Sequence, residues 1–230
     1  IHLNLPQTTF GKQMRSFANA SADENAAVDG KKQANPEDGT VLGESDPLSG
    51  LDSGAGAQPV DAQAVLTAGI QDISNTLIDG FQLNDILRII LETMYRAMGF
   101  KRVVLCIRDA KAGVMQGRFG FGQDANEVAR AFRFPLSFTP DIFHAATSKG
   151  VDLMISDIND PKIASRIPDW YRKAVPANSF VLFPLNIKGN SVALIYADSD
   201  EPGGISIPEK ELQLLRTLRN QAILAIKQGS

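Results

Sequence analysis

Apolar residues settle into regular spacings only beyond Val60. Leu66, Ile70, Ile73 and Leu77 follow at four, three and four positions, a helical seam with Asp61 as its cap and Gly80 as its stop. A second helix carries Leu83, Leu87, Ile90, Met94 and Ala97 on one stripe and ends at Gly99. The period then switches to two. Residues 101–108 read as a strand with Val103, Leu105 and Ile107 on one face and Val104, Cys106 and Arg108 on the other. Residues 114–121 form its hairpin partner after a turn near Asp109–Gly113. Short strands over 132–136 and 152–156 flank a short helix over 140–148, and strong strands over 179–188 and 191–198 meet at Gly189-Asn190. Finally, Ser206-Ile207-Pro208-Glu209 has the pattern of a capping box opening a helix. That helix, with Leu212, Leu214, Leu215, Leu218, Ala222, Ile223, Leu224, Ala225 and Ile226, becomes apolar almost all round near its end. It is expected to cover the sheet on one side and a partner chain on the other. These elements predict one α+β domain over 60–230, with an antiparallel sheet of about six strands.

Charge divides the chain more sharply than its total of −3 suggests. Residues 18–59 hold eight acids against two lysines, and from Ala18 to Val60 no aromatic occurs. Rich in Ala, Gly, Ser, Asp, Asn and Pro, this stretch cannot bury enough apolar surface to offset roughly 1–2 kcal/mol of ordering entropy per residue. It reads as a flexible acidic linker. Residues 1–17 read as the possible tail of a domain lying upstream, and the start at Ile1 without a basic-apolar leader suggests a piece cut from a longer protein. The remainder is nearly neutral, which offers no broad electrostatic attraction for nucleic acid or anionic membrane. The longest apolar stretch, Ile86–Met98, is broken by Arg88, Glu92 and Arg96, so no membrane span is expected. At 43% hydrophobic and 21% charged, the composition excludes collagen-like, disulfide-dense and wholly disordered classes. The single cysteine, Cys106, cannot form an internal disulfide, and with His2 and His144 it cannot complete a zinc site. A reducing, cytoplasmic setting is the simplest expectation.

Four stretches together resemble a GAF domain over residues 61–228: Pro161 in NDPKI, Pro168-Asp169-Trp170, SFVLFPLNIKGNSVALIYADS and ISIPEKELQLLRTLRNQAILAI. The shared pattern is a serine opening a strand that ends in Pro-Leu, a Lys-Gly hairpin, a strand ending at a small residue and an acid, and a terminal helix. The resemblance implies a sensory or regulatory module of a bacterial signalling protein. It also implies a central antiparallel sheet with N- and C-terminal helices on one face, where they dimerise, and a small-molecule pocket on the other. The opening IHLNLPQTTFGKQMRSFA resembles the end of an HDOD-type signalling domain, an upstream partner in the same chain.

Candidate chemistry is sparse. On the resemblance, Cys106 faces the pocket, but tetrapyrrole-binding relatives usually carry a Cys-His pair elsewhere, and here Phe143 precedes His144. Sulfoxide-reducing relatives need a second cysteine to resolve the first. A packed, unreactive thiol is the simpler reading of Cys106. His144 can hydrogen-bond a ligand or sense pH near 6.5, or simply pack. The Asn-Lys-Phe-Asp-Glu signature of cyclic-nucleotide-binding relatives is not found. Pocket candidates come from 132–179: Phe134, Phe138, Phe143, Trp170 and Tyr171 as walls, with Arg133, Asp157, Asp160, Arg166 and Arg172 as orienting charges. Their bland alternative is closure of the core over the sheet. Gly117, Gly120 and Gly122 lie on a predicted strand, which excludes a phosphate-binding loop. The expectation is a homodimeric, non-catalytic regulatory module with a small-molecule or protein partner. The rival readings are a structural dimerisation domain, a cyclic-nucleotide-binding domain and a small redox enzyme. The sequence names no cofactor.

Overall fold

The computed structural model describes residues 61–229. The tail and linker readings of residues 1–17 and 18–59 lie outside the described residues. The Asp61 carboxylate accepts the backbone N–H groups of Gln63 (3.1 Å) and Ala64 (3.2 Å), satisfying two donors that a helix start leaves unpaired. It opens α1 (Ala62–Asp79), in which Leu66 and Ile73 are fully buried. In α2 (Leu83–Met98) the predicted stripe is buried throughout, and Gly99 closes it in the left-handed region at φ 64°.

Strands β1 (Arg102–Asp109), β2 (Val114–Gly122), β3 (Arg133–Pro135), β4 (Leu153–Ile155), β5 (Ser179–Ile187) and β6 (Asn190–Ser199) make one antiparallel sheet of order β3-β2-β1-β6-β5-β4. Alternation along β1 divides the core as the sequence predicts. Val103, Leu105 and Ile107 join the helix-side core, while Val104 and Cys106 join the core of the opposite face. The β5–β6 turn is centred on Lys188 (φ 51°) and Gly189 (φ 79°), one residue earlier than expected, and Asn190 already belongs to β6. Two consecutive left-handed residues match the twist of a tight hairpin, and glycine adopts that conformation without strain.

Helix α3 (Ala125–Ala131) is absent from the sequence reading. Its seven residues, ANEVARA, are too few to display a helical period. The helix packs on β2 where the strand has no side chains. A Cβ at Gly117 would lie 2.2 Å from the Ala129 carbonyl oxygen, and one at Gly120 would lie 2.5 Å from the Val103 carbonyl oxygen of β1 and 3.2 Å from the Ala125 Cβ of α3. Gly117 and Gly120, from the glycine spacing that failed as a phosphate loop, thus permit close helix–strand approach.

The last helix, α6 (Glu209–Gln228), departs from its predicted start. Pro208 occupies the cap position, and no side chain caps the first turn, so the Ser206 capping box does not form. Proline holds the extended conformation required there, and Glu209 and Glu211 place negative charge in the first turn, where the helix dipole favours it. Helices α2 and α6 lie on one face of the sheet, and α1 packs across both. Helices α1 and α6 run parallel: Gln63 Nε2 donates to Glu211 Oε1 (3.0 Å), and farther along Gln221 Nε2 donates to Ser74 Oγ (2.8 Å). Part of the second apolar side of α6, assigned from sequence to a partner chain, is therefore covered by α1 of the same chain. Each fully buried leucine or isoleucine in this layer contributes about 1.5–3 kcal/mol. No helix among the described residues is long and apolar enough to cross a membrane.

Candidate functional site

The opposite face of the sheet is covered by α3, α4 (Ile142–Lys149), a 3-10 turn (Ala164–Arg166) and α5 (Asp169–Ala174), with β3 and β4 at the sheet edges. Asp141 starts α4 by accepting the His144 N–H (2.8 Å), and Gly150 closes it at φ 65°. Short, capped elements such as these carry aromatic side chains inward from several directions.

Phe134, Phe143, Trp170 and Tyr171 do converge. Trp170 lies nearly parallel to Phe134, with ring centroids 5.9 Å apart. Phe143 meets Trp170 at 5.1 Å and Tyr171 at 5.3 Å. Three rings not singled out from sequence complete the cluster. Phe132 contacts Trp170 at 5.2 Å and Tyr196 at 4.7 Å, and Phe180 stacks on Phe143 at 5.5 Å. Strand alternation places Phe180 and Tyr196 on the Cys106 face, a signal the sequence carried. All these rings are buried except Trp170, which is half-buried at the outer edge.

Of the other candidates, Cys106 shares the buried core of this face, and the rest stand apart from the rings. Phe138, expected as a wall, is 79% exposed and meets only the half-buried His144 among the ring contacts, edge to face at 5.3 Å. Arg133 and Arg166 are exposed. Asp157 and Asp160 accept the backbone N–H groups of Asn159 (2.8 Å) and Lys162 (2.9 Å), turn-forming bonds of the kind aspartate commonly makes. Arg172 reaches the Ile158 carbonyl (2.8 Å), the Ala164 carbonyl (3.1 Å) and Asn159 Oδ1 (3.0 Å), bracing the segment before α5. Cys106 is fully buried, and burial pushes its thiol well up, away from the reactive thiolate. Among the described residues, no group of three or more His, Cys, Asp or Glu side chains is placed to hold a metal ion.

A buried ionic network beside the rings escaped the sequence reading. Arg102 Nε donates to both oxygens of Asp198 (3.0 and 2.9 Å), and Nη2 donates to the Pro176 carbonyl (2.7 Å) and Asp200 (3.0 Å). Tyr196 donates its hydroxyl to Asp198 (2.6 Å), and Tyr171 and Tyr196 share a hydrogen bond at 3.0 Å. Lys101 pairs with Asp200. Burial raises the Asp198 carboxyl above its ordinary value, opposed by the Tyr196 hydroxyl and Arg102, and it raises both tyrosines. Breaking such a pair by removing one partner costs about 3–5 kcal/mol, because the other charge stays buried. An arginine beginning a strand reads in sequence as its solvated end; only the fold buries it.

The family model for the GAF domain matches residues 82–226. No curated protein matches the chain. Among solved structures, the GAF domain of a phosphoenolpyruvate-protein phosphotransferase from Coxiella burnetii is similar at a TM-score of 0.58 and 13% identity, covering 72% of this chain and 95% of that one. A methyl-accepting chemotaxis protein, residues 122 to 287, is similar at a TM-score of 0.56 and 19% identity, covering 68% and 96%. A free methionine-R-sulfoxide reductase from Neisseria meningitidis, in complex with its substrate, is similar at a TM-score of 0.50 and 17% identity, covering 75% and 96%. At these identities the likeness is one of fold. With the family model spanning more than half its length, the chain belongs to the GAF domain family, whose members are generally sensory or regulatory modules of signalling proteins.

Proposed function

We propose that this domain is a non-catalytic regulatory module that dimerises through α1 and α6 and senses a small molecule or protein partner on its aromatic face. The observation that carries the reading is the different construction of the two faces. On one, parallel terminal helices leave Ile78 and Leu224 exposed (82% and 45%) on the two elements that frame the domain. On the other, the ring cluster comes within reach of solvent at half-buried Trp170 on α5, a six-residue helix held by Arg172. A ligand favouring one position of α5 would bias the helical layer by its differential affinity, and so the signalling domain expected upstream in a cytoplasmic chain. The burial of Cys106 supports regulation over redox catalysis.

A second reading, a structural dimerisation domain, is favoured by the tightness of the ring packing, since Phe132, Phe134, Phe143, Phe180, Tyr171 and Tyr196 already fill one another's contacts. Native mass spectrometry of the freshly purified full chain separates the two. A dimer carrying extra mass, released on denaturation, is the expected outcome. A bare dimer that takes up no metabolite from a cell extract supports the structural reading, and a bare monomer overturns both.

A further inference from the structure

Five side chains from three separate elements and one connection form a single hydrogen-bonded line, buried except at its Asp200 end. Tyr171 on α5 meets Tyr196 on β6 at 3.0 Å, and Tyr196 donates to Asp198 at 2.6 Å. Both oxygens of Asp198 also accept from Arg102 Nε on β1, and Arg102 reaches Asp200 at 3.0 Å. The two ends of the line differ in character. At the inner end Tyr171 sits beside Trp170 within the rings, at 5.8 Å. At the outer end Asp200, with its side chain 42% exposed, opens the connection from β6 to α6. That connection is also tied to the segments flanking α5. Asn178 Nδ2 donates to the Asp200 carbonyl (2.6 Å), Ser179 Oγ donates to the Glu201 carbonyl (2.8 Å), and the Gly203 N–H donates to the Ser156 carbonyl (2.6 Å).

We propose that this line is a latch: the position of α5 over the rings sets the geometry of the 199–208 connection and thereby the start of α6. Tyr171, Tyr196, Asp198, Arg102 and Asp200 are its positioning residues. As a signalling device the latch rests on the regulatory reading above; as a mechanical coupling it does not. Within a low-dielectric interior each hydrogen bond polarises the next, so disturbing one end changes the strength of the whole line. A latch also needs two arrangements. Among the described residues, Arg102 Nη1 is buried and has no hydrogen-bond partner, so the guanidinium keeps one donor group in reserve for a second pairing with Asp198. A shift of α5 that withdraws the Tyr171 hydroxyl frees Tyr196 to turn and Asp198 to rotate toward the unused Nη1.

The test is hydrogen exchange on the intact chain with two mild variants. Tyr171→Phe removes one hydroxyl and keeps the ring; Asp200→Asn neutralises the half-exposed outer end. Because coupling is reciprocal, Tyr171→Phe should speed exchange of the Gly203 and Asn178 N–H groups at least threefold. Asp200→Asn should speed exchange of the Tyr171 and Val175 N–H groups at least threefold. The β1–β2 hairpin should be unchanged in both. Effects confined to the substituted end, or equal loosening of the β1–β2 hairpin, would overturn the latch in favour of a merely structural network. No ligand is required, so a failed search for bound ligand leaves this result standing.

Discussion

Burial decides what the ionisable side chains of the ring face can do. Cys106, Tyr171 and Tyr196 all have pKa values raised by burial, from ordinary values of 9.0, 10.0 and 10.0. A group whose folded value is raised contributes stability that is complete below its unfolded value and is lost as pH climbs toward the folded one. Each therefore lowers stability by up to about 1.4 kcal/mol per pH unit above its ordinary value. Denaturant midpoints should hold from pH 7 to 8.5 and fall steeply between pH 9 and 11, with a shallower fall above pH 10 in Tyr171→Phe. A midpoint that stays level to pH 11 would contradict the burial of all three. At this scale the sequence was partly legible. Strand alternation placed Cys106 on the face opposite Val103, Leu105 and Ile107, and the 132–179 segment was singled out for its aromatics, of which the structure brings Phe134, Phe143, Trp170 and Tyr171 together. Phe138, from the same segment, is exposed instead, since no local pattern separates a ring that turns inward from one beside it that does not. Arg102 was missed because its partner, Asp198, is 96 positions away in sequence and adjacent only across the β1–β6 ladder.

Among the elements, two helix starts that look alike in sequence behave differently. Asp61 caps α1 with two hydrogen bonds, whereas Ser206 caps nothing. Asp61→Ala should cost about 1 kcal/mol, and Ser206→Ala should stay within about 0.5 kcal/mol; chemical denaturation of both variants checks the contrast. Equal losses would mean that Ser206 does cap α6. The long elements were legible because the helices bury a stripe and the central strands run apolar on both faces: α1, α2, β1, β5 and β6 begin and end within a residue or two of expectation. Helices α3 and α5 span two turns or fewer, too short for periodicity to stand out from composition. The room for α3 is visible only in what Gly117 and Gly120 leave open.

In the whole molecule, α2 and α6 lie on the sheet and α1 packs across both, parallel to α6; this layer is where dimerisation is proposed. Ile78 and Leu224 are exposed in the single chain, so Ile78→Glu combined with Leu224→Glu spares the core. Light scattering should show dimer becoming monomer, with the thermal midpoint shifted by only a few degrees. An unchanged dimer mass would place the interface elsewhere. The order of helices and strands, the division of β1 between two cores and the family pattern were determined by the sequence itself, because each buried face imposes a period that neighbouring residues display. The tertiary structure alone decided that α1, in the same chain, covers part of α6. It alone brought seven rings from six segments together and buried Arg102 with Asp198. Those outcomes depend on contacts between residues far apart in the chain, where no local period constrains which side chains meet.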